Sequence, residues 1–152
     1  MTIRHGEARW QGSLKQGSGR LRLGSGVFEG AYSFPSRFET GAGTNPEELI
    51  AAAHAACFSM ALAAILERAG LAPTRIRTGA RVHLGLGEAG PAITRIEIDT
   101  AGEVPGLDDA GFEAHARTAK ATCLVSRALS VIPITLTARL DAVDAIPTVE
   151  GP

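Results

Sequence analysis

The stretch from Leu49 to Leu66 limits what this chain can become more than any other. Its only polar residues are His54 and Ser59, with Cys57 between them. Just upstream, Asn45 suits a helix N-cap and Pro46 the first helical position, while Glu47 and Glu48 complement the positive end of the helix dipole. The pattern predicts one long helix from Pro46 to about Ala69, stopped by Gly70 and Pro73. A helix apolar on every face must be buried on all sides. A lone domain of 152 residues has trouble surrounding it, and its many alanines let a second helix approach closely. The expectation is a homodimer with this helix near its centre.

The flanking segments read as strands. Before the helix, Leu21 and Leu23 alternate with polar neighbours, glycines punctuate the chain, and Phe34-Pro35-Ser36 reads as a turn or strand end. After it, Arg81 to Leu86 and Ile93 to Ile98 alternate polar and apolar residues with one slip, joined by a hairpin loop from Gly87 to Pro91. Val104-Pro105-Gly106 breaks the pattern. A second helix is expected from about Asp108, its cap, to Leu129, and a last strand from Ile134 to Leu140. Antiparallel strands segregated from two helices spell the α+β class in one domain spanning residues 1–152, with the tail from 143 disordered.

Bulk properties exclude several functions. A net charge of -1, with no basic run, argues against nucleic-acid binding through phosphate charge. The apolar helix is interrupted by His54, Ser59 and Glu67, which makes it a poor membrane span, and the first ten residues lack the apolar core of a signal peptide. A cytoplasmic location is the expectation. Thiols stay reduced there, so a cysteine pair is more often catalytic or metal-binding than structural.

The two cysteines, Cys57 and Cys123, both fall in predicted helices. Read alone, each is more readily a small buried hydrophobe. A zinc site would need two more ligands, and the four scattered histidines show no paired spacing. A catalytic reading requires a thiolate, which is costly in an apolar helix without a cation beside it. Arg37 is one candidate, although, taken alone, a solvated surface arginine is the simpler reading. Its own counter-anion would be Glu47 or Glu48. Ten residues separate Glu47 from Cys57, roughly 15 Å of rise with an angular offset of about 80°, whereas Glu48 is offset by about 180°. The expected arrangement is a chain from Glu47 to Arg37 to Cys57; the simpler alternative leaves Glu47 serving the helix dipole. His54, three residues before Cys57, could share its face as a Cys-His pair, or be a hydrogen-bonded core histidine.

The run Thr44-Asn45-Pro46-Glu47-Glu48-Leu49-Ile50-Ala51-Ala52-Ala53-His54-Ala55-Ala56-Cys57-Phe58-Ser59-Met60 closely resembles the hallmark helix of the OsmC proteins, the osmotically inducible relatives of the Ohr hydroperoxide reductases. Arg37-Phe38-Glu39 resembles the arginine segment that precedes that helix, and Ala119 to Ser126 resembles the second cysteine motif. The likeness spans roughly residues 1–142. It implies that Cys57 is the peroxidatic and Cys123 the resolving cysteine, with Arg37 and Glu47 activating the thiolate. It further implies an intertwined homodimer with antiparallel sheets wrapped around two central helices, no metal or prosthetic group, and organic hydroperoxides as substrates ahead of hydrogen peroxide. An external dithiol, such as a lipoylated protein, would be the reductant. One departure stands out: the family commonly has proline after the resolving cysteine, where this chain has Leu124.

The implied cycle begins with attack of the Cys57 thiolate on the peroxide, leaving a sulfenic acid that Cys123 condenses to a disulfide. A dithiol then reopens it by exchange. An apolar pocket of Phe34, Phe38, Phe58 and Met60 is expected to favour alkyl and aryl peroxides. The rivals are a redox-sensing or binding module using the same cysteine pair, a Cys57-His54 hydrolase or transferase, and a structural dimer with inert cysteines.

Overall fold

The computed structural model describes residues 1–141, so the tail expected from 143 onward lies outside the described residues. The chain divides into two compact units, Met1–Ile50 and Ala51–Pro152.

The first unit carries an antiparallel sheet of β1 (Gly6–Gln11), β2 (Ser18–Leu23) and β3 (Glu29–Tyr32), in that order. Cross-strand ion pairs, Arg22 with Glu7 and Arg20 with Glu29, each at 2.7 Å, lie on its exposed surface. Gly19 of β2 pairs with Trp10 on one side and Tyr32 on the other. Both rings lie over it, 5.4 Å apart, and a Cβ at Gly19 would come within 2.3 Å of the Tyr32 ring.

The segment after β3 is helical rather than a turn or strand end. Here α1 (Phe34–Phe38) makes little more than one turn. Its cause is local: Ser33 caps the turn, with the Ser33 and Ser36 side chains each accepting the other residue's backbone N–H, and Pro35 presets φ near the start.

Next comes α2 (Pro46–Arg68), capped as expected by Asn45, whose Oδ1 accepts the Glu48 amide at 2.8 Å. It ends at Gly70, where φ is +75°. By length and hydropathy alone α2 would qualify as a membrane span. Its burial within a single chain is one-sided. His54, Phe58, Leu62 and Leu66, each a turn apart, are fully buried, whereas Ala52, Ala56 and Met60 face outward and are exposed. Within one chain the helix has only one side covered.

The second unit's sheet consists of β4 (Arg75–Gly87), β5 (Gly90–Glu103) and β6 (Ile134–Leu140). The first two strands are longer than their alternation shows, and the hairpin loop shrinks to Glu88 and Ala89. Gly90, which follows the loop, takes a φ of +113°, a left-handed conformation that favours glycine. The slip in alternation is a bulge: the register shifts between His83 and Leu84, opposite Thr94. One pairing departs from the antiparallel expectation, because β6 runs parallel to β5. The intervening helical crossover permits this, since parallel neighbours need a connection of about a dozen residues or more.

That crossover is α3 (Asp109–Thr122), capped by Asp108, followed by α4 (Leu124–Ala128). The second helix is therefore broken, and Cys123 sits at the break rather than inside a helix, with φ −57° and ψ 126°. Such an extended ψ is what a following proline would impose; here it is adopted with Leu124. The core gathers Phe58, Leu62 and Leu66 of α2, Ile96 and Ile98 of β5, and Phe112, Ala116 and Ala119 of α3 around Cys123. Gly102 lets Phe112 press on the sheet, since a Cβ there would lie 2.4 Å from the ring.

Candidate active site

The side chains expected to carry the chemistry fall into two pairs, one in each unit. In the first, Arg37 comes from α1 and Glu47 from the first turn of α2. Ser36 ties these elements together: its Oγ donates to the Thr44 carbonyl at 2.8 Å, and its own carbonyl accepts from Asn45 Nδ2 at 3.1 Å. Arg37 thereby meets Glu47 with a fork, Nη2 donating to Oε1 at 2.7 Å and Nε lying 3.2 Å from both carboxylate oxygens. The Glu47 carboxylate is buried, while Arg37 keeps 40% of its side chain exposed. Of the two glutamates, Glu48 turns away to accept the Thr44 hydroxyl at 2.7 Å.

The exposed flank of Arg37 faces a cavity of about 280 Å³ lined by Trp10, Leu14, Tyr32, Phe34 and Phe38. The guanidinium carbon lies 5.2 Å from the Phe38 ring centroid. Of the four aromatic and thioether residues expected here, Phe34 and Phe38 line the cavity. Phe58 is instead fully buried in the core, and Met60 is 75% exposed on the open side of α2. Trp10 and Tyr32 escaped sequence reading, because only the strand register gathers them around Gly19; Leu14 joins them from the turn between β1 and β2.

In the second unit Cys57, half-buried on α2, and Cys123, buried at the α3–α4 break, are both free thiols. Their sulfurs are 3.2 Å apart, with the Cys123 thiol donating. A disulfide needs about 2.05 Å, so the pair can close with a small shift. Burial pushes the Cys123 thiol up, but that is outweighed by the Ser126 amide, the Cys57 side chain, the Ser126 hydroxyl and the Val125 amide; the net shift is down. The sulfur makes no formed capping hydrogen bond to α4; these groups act on it as nearby dipoles.

His54 does not pair with Cys57. Its Nε2 lies 2.7 Å from Ser126 Oγ, and Nδ1 has no hydrogen-bond partner among the described residues. Burial holds the ring below the usual histidine range, hence neutral. Ser126 is the polar neighbour that sequence reading missed.

The profile of the OsmC-like proteins matches residues 39–137. Peroxiredoxin OsmC of Escherichia coli (strain K12) is 50% identical over 131 residues, covering 85% of this chain and 92% of that protein. The chain belongs to the OsmC family. Among solved structures, an organic hydroperoxide resistance protein from Elizabethkingia anophelis superposes with a TM-score of 0.72 at 25% identity, covering 92% of this chain and 99% of that one. The protein OhrB of Bacillus subtilis superposes at 0.69 with 22% identity, covering 90% and 98%, and shares the fold. The OsmC profile spans Glu47, Cys57 and Cys123 and begins two residues after Arg37.

Proposed function

We propose that this OsmC-family chain is a thiol-dependent peroxidase that reduces organic hydroperoxides to alcohols. The observation that carries the reading is the pair of free sulfurs 3.2 Å apart. It is supported by half-identity to a peroxiredoxin and likeness to an organic hydroperoxide resistance protein. In the cycle, the Cys57 thiolate attacks the terminal peroxide oxygen and releases an alcohol. The resulting sulfenic acid condenses with Cys123, forming the disulfide and water. A dithiol reductant restores both thiols by exchange. Arg37, oriented by the buried Glu47, stabilises the thiolate and the charge that develops on the peroxide.

The cavity beside Arg37 sets the preference among peroxides. Its aromatic walls bury an alkyl or aryl group but gain nothing from hydrogen peroxide. With dithiothreitol or dihydrolipoamide as reductant, kcat/KM for cumene hydroperoxide should exceed that for hydrogen peroxide by on the order of 10- to 200-fold. A preference for hydrogen peroxide would overturn the apolar-pocket reading, and no turnover from folded, reduced protein with either dithiol would overturn the peroxidase itself.

The working form is a homodimer. The exposed side of α2, with Ala52, Ala56 and Met60, is an apolar stripe in which the alanines allow close helix packing around Met60. Sedimentation should give twice the 15.7 kDa chain mass. Met60→Glu should sediment as a monomer. A wild type that sediments at chain mass contradicts the dimer.

A further inference from the structure

The cysteine pair does not end at its two sulfurs. From Cys57 the line continues to Cys123 at 3.2 Å, then to Ser126 one turn along α4, then to His54 Nε2, 2.7 Å from the Ser126 hydroxyl. Every member lies in the second unit. His54 is fully buried on a helix otherwise almost wholly apolar, and Ser126 is 4% exposed. A buried imidazole is costly unless its polar atoms are used. Here its ring is anchored through one nitrogen to Ser126, three residues after Cys123, whose amide and hydroxyl both act to lower the Cys123 thiol.

We infer that Ser126 and His54 form a proton relay that serves the second chemical step, disulfide formation, rather than attack on the peroxide. The inference rests on the peroxidase reading above. Condensation needs Cys123 as a thiolate, so its S–H proton must leave as the bond forms. While Cys57 is reduced, the Cys123 thiol donates to it. Once Cys57 carries oxygen, the S–H bond turns to the Ser126 hydroxyl oxygen, and Ser126 passes its own proton to His54 Nε2. The Cys123 thiolate attacks the Cys57 sulfur, the S–S bond forms, and the S–O bond breaks. The leaving hydroxide takes the proton back from the relay. Thiol and sulfenic acid become disulfide and water, with no further reactant. A neutral ring suits the transient acceptor, and burial keeps it neutral. Ser126 is the group at the reacting sulfur; His54 is a positioning residue that acts through it.

The test separates the two steps. Reduced protein is mixed with one equivalent of cumene hydroperoxide, quenched over time, and weighed by mass spectrometry to follow the sulfenic acid and the disulfide. Ser126→Ala and His54→Gln should form the sulfenic acid at the wild-type rate but close the disulfide about 100-fold more slowly. The double variant should be no slower than either single one, and Ser126→Thr, which keeps the hydroxyl, should restore closure. Wild-type closure should slow in deuterated water. A structural role would instead impair both steps together or alter stability alone, and either outcome overturns the relay. So does wild-type closure without an isotope effect, a measurement that needs no variant to fold. If the wild type forms no sulfenic acid, the peroxidase reading fails first and the relay with it.

Discussion

Cys57→Ser should lower kcat/KM for cumene hydroperoxide by at least on the order of a thousandfold, the scale seen when an enzyme loses its nucleophile. The change swaps sulfur for oxygen with little difference in volume at a half-buried position, so the fold should survive. What vanishes is the group able to attack as a thiolate, because an alcohol does not ionise near neutral pH. Cys123→Ser gives the contrasting result: with no dithiol present, one equivalent of peroxide is still consumed, and Cys57 remains as sulfenic acid without its partner 3.2 Å away. Peroxide consumption with each dithiol checks the first, and mass spectrometry of protein quenched after one equivalent of peroxide without dithiol checks the second. Wild-type turnover by Cys57→Ser would remove Cys57 from the chemistry.

Arg37→Ala should cost on the order of 100- to 1000-fold in kcat/KM, comparable to removing one donor from a preorganised oxyanion site. The reason lies in the fork. Three contacts between 2.7 and 3.2 Å hold the guanidinium against Glu47. The carboxylate is only 9% exposed and would be left without its cation. Truncating a fully buried pair costs about 3–5 kcal/mol. Because 40% of the Arg37 side chain is in solvent, a stability loss of about 1–2 kcal/mol is the better expectation. Arg37→Lys keeps a positive charge but not the planar fork, and should recover only part of the activity. Glu47→Gln should lower activity in the same direction, and combining it with Arg37→Ala should add little. Chemical denaturation and peroxide kinetics on the same samples separate the two effects. Arg37→Ala within about threefold of wild type would break the link between the arginine and the peroxide step.

Much of the frame was legible in the chain. Asn45-Pro46 announces the start of α2 and Gly70 its end, because capping and left-handed backbone are local demands met by few residue types. Helix periodicity alone favoured Glu47 over Glu48, and Arg37 does meet Glu47. The misreadings share a cause. Phe34 to Phe38 looks like a strand end by composition, yet a Ser33–Ser36 capping box winds it into the turn that carries Arg37. The helix expected to run through Cys123 breaks there, although Leu124 can follow either backbone. The apolar pocket was assigned by residue type, and half its expected lining lies elsewhere.

The sequence by itself determined the long apolar helix, the α+β class and the identity of the two sulfurs, since periodicity, caps and cysteine count are properties of neighbouring residues. Only the tertiary structure decided which side of that helix a single chain covers and that β6 joins its sheet in parallel. It alone brought Cys57 to Cys123 and His54 to Ser126, across 66 and 72 residues. The physical reason is range. Local rules act over a turn of helix or a strand pair, whereas these contacts exist only after the core around Phe58 and Phe112 has closed.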